Sequence, residues 1–147
     1  MKTEEFLKIK KIIEDLQVTG TFDIINLDAD LNKARVAWTV EIEPNNALSA
    51  GKQRKIIVCE QVVNFHYAPD FTDSPPWTIH KSAVEQLNTE GDLGSDELLG
   101  FDRDKCGNDF WPQQMPFYRL IFDCWGLRAS VLCRKLHIDE IPEVKSR

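Results

Sequence analysis

No run of this 147-residue chain is apolar over the roughly 20 residues that a membrane-spanning helix requires. The opening stretch, MKTEEFLKIKKIIEDLQ, interleaves charges with apolar side chains and so lacks the unbroken apolar core of a signal peptide. A cytoplasmic location is therefore expected. Basic side chains are the minority, 18 against 24 acidic, and the net charge of −6 opposes attraction to nucleic acid or an anionic membrane. A basic protein partner suits that charge better. There is no C-x-x-C pair among the four cysteines (Cys59, Cys106, Cys124 and Cys133), and reduced thiols are expected of a cytosolic chain.

The usual chemical signatures are also missing. Ser95 stands in Gly94-Ser95-Asp96 without the second glycine of a nucleophile elbow, and Cys106 lies among carboxylates that would raise a thiol pKa. Phosphate-cradling glycine loops are absent. His66, His80 and His137 are too far apart for a zinc signature. Asp102, Asp104 and Gly107 match three places of a calcium loop, but Cys106 and Gln113 stand where oxygen ligands belong, and Pro112 and Pro116 oppose the helix that should follow. No catalytic residue, metal or cofactor is expected on these grounds.

What is present describes an ordinary globular chain, 42% hydrophobic and 29% charged, of a length suited to a single domain. Phe6, Ile9, Ile12, Ile13 and Leu16 recur at helical spacing behind Thr3, Glu4 and Glu5, which predicts an amphipathic helix over 1–20 with Thr3 as its cap and its end near Gly20. Strands are predicted over 21–68. Ala34, Val36, Trp38, Val40 and Ile42 alternate with polar residues, so Trp38 should be buried, and Phe22 to Leu27 should pair with this strand across a turn holding Asp28 and Asp30. From Lys55 to Tyr67 the apolar set changes face, which implies burial on both faces or a bulge near Glu60 and Gln61. Residues 69–116 read as irregular, with a short helix from His80 to Leu87. A long hairpin about Gly126 is predicted over 117–139 and a tail over 140–147. The sum is an α+β fold: a mainly antiparallel sheet with the N-terminal helix on one face.

The stretches F-D-I-I-N-L-D at 22–28, V-A-W-T-V-E-I at 36–42, I-I-V-C-E-Q-V-V-N-F at 56–65 and Y-R-L-I-F-D-C-W-G-L-R-A-S-V-L-C at 118–133 together resemble small bacterial immunity-type proteins in their strand pattern. That resemblance implies toxin neutralisation by binding, often with an acidic surface against a basic toxin. Two functions are weighed on the residues themselves. In the first, a non-enzymatic interaction module meets a basic protein through Asp92, Asp96, Glu97, Asp102, Asp104 and Trp111, with Trp77 and Trp111 as aromatic anchors beside prolines. In the second, a small-molecule or catalytic pocket is lined by His66, Tyr67, Trp77 and His80. The same aromatics could instead fold under as a satellite core.

Overall fold

The computed structural model describes residues 2–16, 20–44, 53–69, 75–94 and 115–141. Its helix, α1 (Thr3–Asp15), buries Phe6 and Ile13 along one stripe and carries Glu4 and Glu5 in its first turn, where carboxylates favour the positive end of the helix dipole. Lys2 occupies the cap position without a side-chain bond, so Thr3 begins the helix and does not cap it. Gly20 likewise opens the first strand; the helix has stopped at Asp15.

Six strands follow: β1 (Gly20–Asp30), β2 (Arg35–Pro44), β3 (Gln53–Pro69), β4 (Trp77–Leu87), β5 (Phe117–Cys124) and β6 (Leu127–Ile141). Every pairing is antiparallel, and the order β1-β2-β3-β6-β5-β4 closes into a barrel. Among the described residues the closing seam is short, with Asp23 opposite Thr78 and Ile24 opposite Trp77. Between β1 and β2, Leu31–Lys33 form a turn of 3-10 helix in which the Asp30 carboxylate accepts the Lys33 N–H at 3.2 Å, the role expected of an aspartate at a turn. Between β5 and β6, Trp125 and Gly126 suffice, and Gly126 takes φ 85°, which glycine adopts without a Cβ penalty.

Alternation sends Val36, Trp38 and Val40 of β2 and Tyr118, Leu120 and Phe122 of β5 into the interior. Trp38 is fully buried (0% exposed), as its place in the pattern predicts. In β3 the change of face is a bulge. Gln61 turns left-handed at φ 53° and the register against β6 slips between Val62 and Asn64, so the inward set passes from Ile57 and Cys59 to Val62, Phe65 and Tyr67. β4 corrects the expected helix over His80 to Leu87: it is a strand, and a slip between Ile79 and Lys81 moves its buried positions from Trp77 and Ile79 to Ser82 and Val84.

The helix covers one end of the barrel. Phe6 meets Tyr118 ring to ring at 5.3 Å, while Leu16 shares a groove with Phe22, Ile42 and Lys55; these four lie at the beginnings of β5, β1 and β3 and at the end of β2. The Ser82 hydroxyl donates to the Ile13 carbonyl, and Lys10, paired with Glu14, also reaches the Val84 carbonyl at 3.4 Å. Thus α1 packs on β4 while its apolar stripe joins the core inside the barrel. A second, smaller cluster, Leu87, Leu93, Phe117 and Leu132 with Met115, lies apart from that core. No helix among the described residues is long and apolar enough to cross a membrane.

Candidate functional site

Strand geometry separates the four residues of the expected pocket. Tyr67 and Trp77 meet edge to face at 6.3 Å, joining the end of β3 to the start of β4. His66 points to the other face of β3 and is exposed, and His80, at the β4 bulge, is exposed as well. The pocket expected from the sequence is therefore not assembled: two of its members belong to the core and two to the surface. Trp77 is only 3% exposed, so it is a core side chain and not the surface anchor predicted for it.

Of the acidic candidates, Asp92 is described and has local work. Its carboxylate accepts the backbone N–H groups of Asn88 and Thr89 at 3.2 and 3.1 Å and the Thr89 hydroxyl at 3.0 Å. The Thr89 N–H, then its hydroxyl, the Asn88 N–H and the Arg119 charge hold this carboxyl below its ordinary pKa. Arg119 also donates to the Asp92 carbonyl at 3.0 Å and to Glu85 at 2.9 Å, which fastens the turn to β4 and β5. Asp96, Glu97, Asp102, Asp104 and Trp111 lie outside the described residues, as do Ser95, Cys106 and Gly107.

The surface residue that sequence reading missed is Trp125. It is 67% exposed, beside a core that buries Trp38 and Trp77. Its backbone N–H donates to the Thr78 carbonyl at 2.9 Å, and its ring lies 4.8 Å from the His80 imidazole at a 34° tilt. The β4 bulge that broke the strand pattern is what presents His80 to this ring. Two carboxylates lie near the turn, each already partnered: Asp23 accepts the Thr78 hydroxyl at 2.8 Å, and Asp123 pairs with Arg128 at 3.6 Å. Both act on the neighbouring Cys124 thiol, which burial first, and then Asp123 and Asp23, push up to about 12. A thiol so shifted stays protonated near neutral pH and is a poor nucleophile.

Deeper in the barrel, Cys59 and Cys133 lie side by side. The hydrogen bond between the Cys59 thiol and Cys133, then burial, then the Cys133 charge raise the Cys59 pKa. Both are free thiols, as is Cys124; Cys106 is outside the described residues. Cys124 and Cys133 fall at opposite ends of the β5–β6 pairing, opposite Leu127 and Tyr118 respectively, too far apart along the strands to bridge. No group of three or more His, Cys, Asp or Glu among the described residues is arranged to hold a metal ion.

Two surface grooves flank the helix. One, of about 220 Å³, has an apolar floor of Ile12, Leu16, Phe22 and Ile42 under Asp15, Gln53 and Lys55. The other, of about 240 Å³, mixes Glu5 and Glu60 with Arg134, Lys135 and His137. In the first, Lys55 is already paired with Glu140 at 3.4 Å. Compared with known proteins, the chain matches none of the protein-family models and none of the curated proteins.

Proposed function

We propose that the chain is a non-enzymatic binding module for a basic protein, anchored at the β5–β6 turn. The observation that carries this reading is Trp125, an exposed indole that lies against the His80 ring on a turn whose backbone is tied to Thr78. A turn already ordered before binding presents its aromatic side chain at little further cost in conformational freedom, and aromatic anchors carry much of the energy of an interface. Asp23 and Asp123 beside it supply negative potential, so an arginine or lysine of the partner could meet the indole face and a carboxylate together. The net charge of −6 would speed the approach of such a partner. The protonated, buried thiols offer no ready nucleophile, which favours binding over catalysis.

On this reading the acidic residues Asp96, Glu97, Asp102 and Asp104 and the aromatic Trp111 would extend the contact. A basic toxin is the partner that the resemblance to immunity-type proteins supplies, and buried free thiols suit a reducing, cytoplasmic setting. Titration with an arginine-rich hexapeptide, read by tryptophan emission, tests the anchor. Wild type should bind at low salt and weaken at physiological salt, and Trp125→Ala should weaken binding at least tenfold without altering the fold. Equal affinity in the variant would remove this turn from the interface.

A further inference from the structure

We propose that the end of the barrel opposite the helix admits a flat, apolar ligand carrying a hydrogen-bond acceptor, which takes the indole N–H of Trp38. Among the described residues, Trp38 Nε1 is a buried polar side-chain atom with no hydrogen-bond partner. Buried donors are almost always paired, because leaving one bare forfeits its bond to water without replacement. Phe122 stands edge-on to this indole at 5.0 Å and 61°, but an aromatic face is a weaker acceptor than a lone pair. The donor therefore marks a place where an acceptor is missing.

A path leads to it. Tyr67 and Phe65 lie in parallel planes, 12° apart, with centroids at 6.3 Å, and Phe65 stands 6.0 Å from Trp38. Both are only partly buried, whereas Trp38 below them is fully enclosed. The three rings form a ladder from the outer end of β3 to the Trp38 ring that carries the orphan donor. A planar ligand would slip between rings that already stack, once Phe65 turns aside, and its acceptor would end the ladder at Nε1. The chemistry selected is a fused aromatic with a ring nitrogen or carbonyl oxygen, since an ion would meet only apolar walls.

Quinoline and naphthalene give a matched pair of nearly equal shape, of which only quinoline has a lone pair to offer. Partition from water alone favours naphthalene, so a preference for quinoline requires the acceptor. With 15N-labelled protein, the indole N–H signal that disappears in Trp38→Phe identifies Trp38. Quinoline should move that signal downfield with saturation and bind at least tenfold tighter than naphthalene, and Trp38→Phe should erase the preference. Should that variant not fold, contacts of the signal to Phe65 and Phe122 protons identify it in wild type, and the comparison of probes stands. An unmoved Trp38 signal, equal or reversed affinities, or a preference that survives in a folded Trp38→Phe variant would overturn the proposal and leave a trapped water as the occupant of the site.

Discussion

The two ends of the barrel are closed by different means. At one, α1 lays Phe6, Ile13 and Leu16 over the interior, and the polar groups between them are used: Ser82 donates to Ile13, and Lys10 reaches Val84. At the other, no helix is described; Tyr67, Phe65 and Trp77 gather there, and the indole N–H of Trp38, next to Phe65, has no acceptor among the described residues. The lesson is one of polar accounting. The helix end satisfies the donors described there, and the bare donor of Trp38 is what the proposed ligand would satisfy.

Substitutions at the two ends can break this comparison. Trp38→Ala, at the centre, should be the most costly, at about 3–5 kcal/mol by denaturant unfolding, because it empties the largest fully enclosed site. Next is the contrast between Ile13→Ala and Tyr67→Ala. The fully buried Ile13 should lose about 2–4 kcal/mol, and the half-buried Tyr67 distinctly less. An equal loss would mean that both ends carry the fold alike. Ser82→Ala should then cost about 1 kcal/mol, since it removes one buried hydrogen bond while the Leu16 N–H still reaches the Ile13 carbonyl at 3.2 Å.

How much of this could be read from the chain depends on how regular each strand is. The β1–β2 and β5–β6 hairpins were legible because their apolar residues alternate over long runs and a turn residue, Asp30 or Gly126, marks the reversal. β4 was not. One extra residue at His80 shifts the buried positions to 77, 79, 82, 84 and 87, a spacing that passes for a weak helix. The bulge in β3 was visible because its apolar residues are dense enough to show both faces. Closure of the ring had no local signal, for it rests on Asp23 and Ile24 meeting Thr78 and Trp77 far along the sequence. Trp125 was hidden inside an apolar run, where nothing in the pattern separates a turn residue from a strand residue.

The smallest expected effect concerns the turn at Asp92, away from both ends. Its carboxyl is held below the usual value of 3.8, so its contribution to stability is fully present above that pH and is lost as pH falls through the lowered value. Thermal melts of wild type and Asp92→Asn should therefore differ at neutral pH and converge in acid. A difference that stays constant would show that the carboxylate's charge is not what the turn uses.

The two-pair seam between β1 and β4 has a consequence for how the molecule breathes. Every other neighbour in the ring is held by at least seven paired positions, so this is the cheapest place to part the sheet. Parting it unrolls the cylinder into a six-stranded sheet with all other pairings intact, and α1 must let go of β4 as it does so. Amide protons at Asp23, Ile24 and Thr78 should then exchange with solvent well before those of β3 and β6. The seam becomes a hinged shutter beside Trp125, whose N–H is tied to Thr78. A partner seated on that turn would hold the shutter closed, and slower exchange at the seam would report its arrival from inside the wall.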